Sequence, residues 1–283
     1  MSKVKTAAHK KRVSITVLFI SVLIILVVGF AGYTFYNRNP LSKEWDYKGR
    51  FTVFDSHSLT LTSYPSDNSS IISITIPPDV YINVSGGYGY YRVKDVLELS
   101  RSERRGDELL IESVSSLIGI PIEASKQRMS YWDQVLVWQL ANNNEIERHN
   151  INLSEYPITV SEKRVDGVEI EKLNPVKIDF YFGELFWERT LRDENMTVGI
   201  FNASETPGLA NSYARMLENI GYRVVDIANW DGEPIEENCM IRITGSPNVV
   251  DSVSISRLIS ILDCPIQVDQ ESGRFDIQVI LAI

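Results

Sequence analysis

The chain has 283 residues, of which 44% are hydrophobic and 23% are charged, which allows one or two globular domains and excludes a disordered chain. Five of its 28 lysine and arginine residues lie in the first twelve positions, where no acid occurs, so the remainder holds 23 basic against 37 acidic residues. Because nucleic acid is bound by clustered basic side chains, this acidic remainder argues against nucleic acid as a partner.

The basic N-terminus leads into residues 13–36, a run without a charged residue. At about 1.5 Å per residue, a helix of this length spans a bilayer core of roughly 30 Å. The apolar region of a cleaved signal peptide is shorter, about 7–15 residues. The positive-inside rule therefore predicts a cytoplasmic tail at 1–12, a transmembrane helix at 13–36, a linker at 37–50 and an extracytoplasmic body, which makes a single-pass protein of the cell membrane.

The sequence pattern of residues 51–193 predicts a reduced α/β domain. Its first part alternates apolar and polar residues, as strands with one buried face do, and its next part has apolar residues at helical spacing. The strands are centred on 59–61 and 72–76, and the helices lie within 106–120 and 130–144. Gly119 is expected to end the first helix, and the second is expected to be amphipathic.

Residues 194–283 predict a small C-terminal βαββαβ sandwich, in which two helices pack on one face of a sheet. Its apolar runs indicate strands, and its apolar stripes indicate helices. The strands are expected at 197–201, 223–228, 240–244 and 275–281, and the helices at 209–220 and 249–262. A short apolar piece at 266–268 precedes the last strand. The fold class is therefore α/β throughout the body.

Two cysteines, Cys239 and Cys264, lie in this C-terminal domain. Thiols outside the cytoplasm can oxidise, and a disulfide across such a loop is worth about 3–4 kcal/mol in the chain-entropy model. Two buried, unpaired cysteines are the alternative, and the sequence leaves both open. The three histidines, His9, His57 and His149, have no partner at ligand spacing, so no metal site is expected.

The loop after the strand at 197–201 raises the question of nucleotide binding, because dinucleotide-binding units also begin with a strand, a loop and a helix. Such units need several glycines at fixed offsets around the pyrophosphate. This loop has Gly208 alone, carries Glu205 beside the helix start and lacks the Gly-Lys-Ser/Thr of a P-loop. Nucleotide binding is therefore not expected.

Three short motifs mark the same stretch: FNAS at 201–204, PGLA at 207–210 and GYRVV at 221–225. Together they resemble the C-terminal domain of LytR-type proteins in the LytR-CpsA-Psr family, over about residues 195–283. We expect Asn202 and Ser204 to cap the following helix and hold the turn. The same two side chains are candidate contacts for a glycan or a partner.

Two segments of the preceding domain, ISITIPPDVYINV and DELLIESVSSLIGIPIE, resemble the LytR-CpsA-Psr catalytic domain. Members of that family transfer lipid-linked glycopolymers to peptidoglycan by attack on a pyrophosphate, with Mg²⁺. Here Pro78 stands at the family's arginine, and the family's Arg-Ser-Asp segment falls near Asp55-Ser56-His57. No Arg-x-Arg segment follows residue 128. We therefore expect residues 51–193 to form a degenerate domain without catalytic residues.

Four charged residues are the candidates for a residual phosphate site: Asp79, Arg101, Arg104 and Arg105. The arginines are interleaved with acids, which favours a solvated helix entry instead. Asp79 on its own also suits a turn. Three tyrosines in a glycine-rich loop, Tyr88, Tyr90 and Tyr91, can stack on sugar rings of a glycan or contact a partner, and anchoring of the loop to the core is the alternative.

Three functions follow from these features. The first is a membrane-anchored, extracytoplasmic cell-envelope protein that binds or positions wall polymers or envelope partners without catalysis or a cofactor. The second is a glycopolymer-peptidoglycan phosphotransferase with a rearranged site, and it alone requires Mg²⁺. The third is a structural partner in an envelope complex.

Overall fold

The computed structural model describes residues 20, 22–27, 29, 45–67, 69–163, 167–244, 249–269 and 273–282. Residues 44–129 and 133–283 form one compact unit, which contains every strand of the described residues. The predicted parts 51–193 and 194–283 therefore both contribute to this unit.

The predicted transmembrane helix at 13–36 lies outside the described residues, apart from residues 20, 22–27 and 29, which are helical. Within the described part of the chain, no helix has the length and apolar character that crossing a bilayer requires. The predicted cytoplasmic tail at 1–12 and residues 37–44 of the predicted linker also lie outside the described residues.

Short strands and helices alternate along the described body. In chain order, the strands are β1 (Phe51–Asp55), β2 (Thr60–Tyr64), β3 (Ile71–Thr75), β4 (Tyr81–Val84), β5 (Gly89–Arg92), β6 (Ala124–Ser125), β7 (Arg148–Asn152), β8 (Thr159–Lys163), β9 (Glu169–Leu173), β10 (Thr197–Asn202), β11 (Arg223–Asn229), β12 (Cys239–Thr244), β13 (Ile266–Asp269) and β14 (Ile277–Leu281). The helices are α1 (Val93–Ser102), α2 (Glu108–Ile118), α3 (Tyr131–Ala141), α4 (Pro175–Phe182), α5 (Arg189–Glu194), α6 (Leu209–Ile220) and α7 (Val253–Leu262).

The strands of the described residues form three sheets, so the predicted α/β class is confirmed. The first has the order β6-β1-β2-β3-β7, with an antiparallel meander of β1, β2 and β3 and a parallel strand at each edge. The second has the order β5-β4-β9-β8. The third, in the C-terminal domain, has the order β11-β10-β14-β12-β13.

The helix predicted within 106–120 is α2. Its apolar residues Leu110, Val114 and Leu117 are buried one helical turn apart, as the spacing predicted. Gly119 follows it with φ 75°, the left-handed conformation that lets a helix end without steric strain. The helix predicted within 130–144 is α3, but it is not amphipathic, because apolar residues surround it and none of them is buried.

Residues 45–50, predicted as the end of a linker, pack into the body. Trp45 is buried, and its Nε1 donates to the Gly49 carbonyl at 2.9 Å. β1 follows directly, and its first four residues are buried on both faces. A strand covered on both faces does not alternate in hydrophobicity, which explains why the sequence pattern did not reveal β1.

The C-terminal domain contains the six predicted elements and one more. The apolar piece at 266–268 is part of β13, which pairs parallel to β12 and makes the order βαββαββ. The strand register aligns Ile200, Val279 and Ile241 across the sheet. These residues share one buried core with Leu217 of α6 and Leu258 of α7, so both helices contribute to the same apolar layer.

Candidate functional site

Asp79, a candidate for the phosphate site, lies in the turn between β3 and β4. Its carboxylate accepts a hydrogen bond from Lys94 Nζ at 2.5 Å, and both side chains are solvent-exposed. This hydrogen bond and the charge of Lys94, in the first turn of α1, lower the pKa of Asp79. The acid therefore forms a surface ion pair that a phosphate or metal ion would have to compete with.

The candidate arginines lie at the other end of α1. Arg101 is in its last turn, and Arg104 follows with φ 59°. Arg105 forms an ion pair with Glu112 at 2.5 Å. Seven positions of α1 separate Lys94, the partner of Asp79, from Arg101, and at about 1.5 Å each they span roughly 10 Å. The structure therefore does not bring the four candidate residues into one site.

The acids interleaved with these arginines are paired as well. Arg128 contacts Asp107 at 2.8 Å and Glu108 at 3.3 Å. Such pairs at the surface contribute little to stability, but they neutralise the cluster. The geometry therefore agrees with a solvated, charge-balanced helix entry.

Asp55 ends β1, near the position where the family resemblance places the arginine of its Arg-Ser-Asp segment. Burial opposes its ionisation, but hydrogen bonds from Lys126 Nζ at 2.8 Å and from the His57 backbone at 3.0 Å outweigh burial and lower the pKa of Asp55 far below its usual range. The adjoining cavity, lined also by Val53 and Met129, has a volume of about 170 Å³. Pockets for drug-sized ligands have about 300–1,000 Å³, so this cavity is smaller than such a site.

The predicted tyrosine loop forms the β4–β5 hairpin, and its three tyrosines are each more than a third exposed. Tyr90 contacts Lys172, whose Nζ lies 3.3 Å from the hydroxyl and 4.8 Å from the ring centre. The register places Asn83 opposite Tyr90, and both Arg92 and Lys172 opposite Tyr81. These five residues share one face of the second sheet, and we refer to them as the tyrosine ledge.

The neighbouring tyrosines lie differently. Because successive side chains of a strand point to opposite faces, Tyr91 lies on the face opposite the ledge. Tyr88 precedes the strand, after the short 3₁₀ turn Ser85–Gly87. The sequence grouped three tyrosines, and the structure places one of them, Tyr90, beside polar and basic side chains on the open face.

The FNAS loop is closed by its own side chains. Asn202 donates from Nδ2 to the Thr206 carbonyl at 2.9 Å, and its Oδ1 accepts from the Ser204 backbone at 3.0 Å and hydroxyl at 2.8 Å. α6 begins after Gly208, which has φ 79°, and no side chain caps it. The expectation that Asn202 and Ser204 cap this helix is therefore wrong, because their hydrogen-bonding groups are used in the turn before it.

A polar cavity adjoins this loop at the C-terminal ends of β10 and β11. It has a volume of about 260 Å³, and its lining includes Asn202, Gly208, Asn211 and Asn229. Ser204, the other candidate contact, bonds to Asn202 within the turn. Of the two candidates, Asn202 therefore lines a cavity and Ser204 supports it.

The structure joins Cys239 and Cys264 in a disulfide, with Cα atoms 5.4 Å apart. Cys239 is the first residue of β12, and Cys264 follows the end of α7. Both cysteines are buried. The bridge therefore ties the C-terminal end of a helix to the sheet on which it packs.

The structure contains a buried ion cluster that no sequence motif predicted. Its members are Arg50, Glu123, Glu188 and Arg257. Arg257 of α7 is 3% exposed, and it donates to Glu188 Oε1 at 3.0 Å, to Glu123 Oε1 at 2.7 Å and to the Arg50 carbonyl at 2.9 Å. The other Glu123 oxygen accepts from the Thr52 backbone at 2.7 Å. The cluster thus fastens the C-terminal domain to three separate segments of the preceding domain.

A second polar junction joins the same two domains. Arg215 of α6 forms a bidentate ion pair with Asp179 of α4, at 2.6 and 2.7 Å, and also donates to the Leu117 carbonyl at 2.9 Å. Asn219, one turn further along α6, donates to the Gly119 carbonyl at 3.0 Å. These partners are 36 to 100 residues apart in sequence, so no local sequence pattern predicts their contact.

The buried ion cluster predicts a pH dependence of stability. Burial raises the pKa of Glu188 from its ordinary 4.5 to about 7, although Arg257 opposes this shift, and Glu123 adds to it. The folded state therefore binds this proton more tightly than the unfolded state. The stability from the proton is fully present below pH 4.5 and is lost as the pH rises through about 7, by about 3 kcal/mol.

Urea denaturation between pH 5 and 8 checks this expectation. The free energy of unfolding should fall with pH in the wild type, and Glu188→Gln should flatten that fall, since glutamine carries no titrating proton. Equal pH slopes for the two proteins would contradict the raised pKa of Glu188.

The comparisons with known proteins bear on both domains. Residues 195–282 match the LytR_C family, described as LytR cell envelope-related transcriptional attenuator. One similar solved structure is that of B. subtilis TagT, with a TM-score of 0.36 and 12% identity, covering 50% of this chain and 91% of that chain. Another is the LytR-CPS2A-psr family protein YwtF (TagT) with bound octaprenyl pyrophosphate lipid, with a TM-score of 0.31 and 14% identity, covering 49% and 90%.

No curated protein matches the chain. Both TM-scores are too low to define a shared fold. The family match, by contrast, covers the five-stranded sheet and both helices of the C-terminal domain. Residues 195–282 therefore form an α/β domain that matches the LytR_C family, as its three motifs predicted.

Proposed function

We propose that the protein is a single-pass, membrane-anchored cell-envelope protein that binds wall polymer outside the cytoplasm and does not catalyse its transfer. Three features support the compartment: the LytR_C domain, the charge-free run at 13–36, and the disulfide between Cys239 and Cys264. Disulfides persist in oxidising compartments outside the cytoplasm, so all three agree.

The pairing of the basic side chains carries the non-catalytic part of the proposal. A transferase acting on a pyrophosphate stabilises the charge of its leaving group with arginine, lysine or Mg²⁺. In the described part of residues 51–193, four basic side chains each form an ion pair with a carboxylate: Lys94, Arg105, Lys126 and Arg128. These four cations are therefore paired with acids, which disfavours their concerted grip on a pyrophosphate.

The tyrosine ledge is the surface that supports polymer binding best. Sugar rings have apolar faces that pack on aromatic rings, and their hydroxyls bond to amide and cationic side chains. Tyr90 supplies an exposed ring and Asn83 an amide, side by side on an open sheet. Lys172, which is itself paired with Glu162, contacts Tyr90. We propose this ledge as the glycan contact.

The test uses the full chain in detergent, in two assays. A polyprenyl pyrophosphate-linked oligosaccharide with Mg²⁺ should release no lipid phosphate, and purified wall glycan should retain the protein in a pull-down. Tyr90→Ala should weaken that retention about two- to ten-fold, the worth of one aromatic contact. Tyr91→Ala is the matched control, because Tyr91 lies on the opposite face of the same strand and should leave retention unchanged.

Two other outcomes would favour the alternative functions. Mg²⁺-dependent release of lipid phosphate that is lost in Arg104→Ala or Asp79→Ala would support a phosphotransferase with a rearranged site. A chain with neither turnover nor glycan retention would support the structural-partner hypothesis.

A further inference from the structure

The composition of α3 does not match its place in the fold. Its sequence, YWDQVLVWQLA, contains eight apolar residues among eleven, and its sole charged residue, Asp133, is buried. A helix that is apolar on all sides belongs in a core or in contact with lipid. Here every apolar residue of α3 retains solvent exposure, so the helix has one side packed on the body and one side open.

The packed side is defined by helical spacing. Leu136, Val137 and Leu140 pack against the small core of Trp45 and Phe51, and Asp133 lies on the same stripe, one turn before Leu136 and Val137. The opposite side presents Trp138, which is 66% exposed, and Trp132 on the flank is 46% exposed. The polar residues of α3 outside the packed side are Gln134 and Gln139, which carry no charge. The open side is therefore a neutral surface dominated by tryptophan.

The chain enters the body at this helix. The Trp45 backbone, the first of the continuously described body, donates to Asp133 Oδ1 at 3.4 Å. Eight residues, 37–44, lie between the end of the apolar run at 36 and Trp45, and even a fully extended chain over these nine steps reaches at most about 32 Å. If the run spans the membrane, α3 cannot lie farther than this from the bilayer surface.

We infer that the open side of α3 rests on the outer surface of the bilayer, with Trp138 and Trp132 at the level of the lipid headgroups. This inference rests on the membrane anchor of the proposed function. Tryptophan is enriched at membrane interfaces, because its large ring is apolar and its N–H can bond to headgroups. An uncharged helix side suits such a contact in spite of the acidic body.

One neighbouring residue fits the same contact. Arg148 of β7 donates to the Ala141 carbonyl at 2.8 Å, and so closes the C-terminal end of α3 while its side chain stays exposed. A cation at this position complements the helix dipole. It also offers a charge-assisted contact to a lipid phosphate beside the tryptophans.

Tryptophan fluorescence tests the inference, because the predicted span at 13–36 contains none of the five tryptophans. The full chain is reconstituted into phosphatidylcholine vesicles, with and without bromine on the acyl chains near the headgroup. Bromine quenches only rings that enter the bilayer. We expect quenching in the wild type and loss of most of it in W132F/W138F. W187F is the matched control, since Trp187 is also exposed but lies outside α3, and it should be quenched like the wild type.

Flotation of the same vesicles separates this inference from the anchor. A chain that floats with the vesicles but shows no quenching, or whose quenching survives in W132F/W138F, overturns the contact through α3 while the anchor stands. A chain that does not float overturns both. Because Trp132 and Trp138 are exposed, their replacement by phenylalanine should leave the thermal unfolding temperature unchanged, which confirms that the variants are folded.

Discussion

Replacement of Arg257 by methionine is expected to lower the free energy of unfolding by about 3–5 kcal/mol. Arg257 is the cation that lies between Glu123 and Glu188, and its removal takes away the guanidinium that both buried carboxylates contact. Methionine fills a similar volume, so the loss arises from charge and not from a cavity. Urea denaturation at pH 7.5, where Glu188 is largely ionised in the wild type, measures the effect.

Two further variants separate the buried ion cluster from a general loss of charge. Arg274→Ala removes an arginine of the same domain that is 77% exposed and paired with Asp226 at 3.2 Å, and it should cost less than about 1 kcal/mol. Adding Glu123→Gln and Glu188→Gln to Arg257→Met removes the stranded charges and should recover part of the stability. A loss in Arg257→Met as small as in Arg274→Ala would contradict the proposed role of the cluster.

The position of Arg257 also explains why the two predicted domains form one compact unit. Its guanidinium bonds to side chains or backbone of the preceding domain on three sides, and Arg215 makes a second junction through α6. Ionic contacts of this kind are directional, so they fix orientation more than they add stability. The LytR_C domain is thereby held in one arrangement with the tyrosine ledge.

The elements that the sequence predicted are those whose information is local. α2 follows from apolar residues one turn apart and from Gly119 at its end, and β3 follows from the alternation of Ile72 and Ile74. The three motifs of the LytR_C domain likewise lie within about thirty residues of one another. Period and capping suffice for such features, because neighbours along the chain determine them.

The features that the sequence did not predict depend on distant partners. β1 is buried on both faces, and its residues Phe51 and Val53 share a small core with Ala124, far along the chain. Arg257 contacts a carboxylate 134 residues away. The open side of α3 is a further case: helical spacing predicted the helix, but only the packing shows that its tryptophans face outward. The candidate phosphate residues lie within one short part of the sequence, but α1 separates Asp79, near its start, from the arginines near its end.

The disulfide between Cys239 and Cys264 is expected to contribute about 3–4 kcal/mol to the stability of the folded chain. It closes a loop with a sequence separation of 25, and in the chain-entropy model such a cross-link removes that much conformational freedom from the unfolded state. Urea denaturation of the wild type with and without dithiothreitol measures the contribution. Mass spectrometry without reductant should find the two cysteine-containing peptides linked.

The double variant Cys239→Ala/Cys264→Ala provides the control, because dithiothreitol should not change its stability. The variant should also be less stable than the oxidised wild type by the disulfide's contribution plus the loss of two small buried side chains. The loop between the cysteines holds β12 and α7, and α7 carries Arg257, so reduction should weaken the buried ion cluster as well. Two freely alkylatable thiols in the purified protein would show that the bridge does not form, and reductant would then leave wild-type stability unchanged.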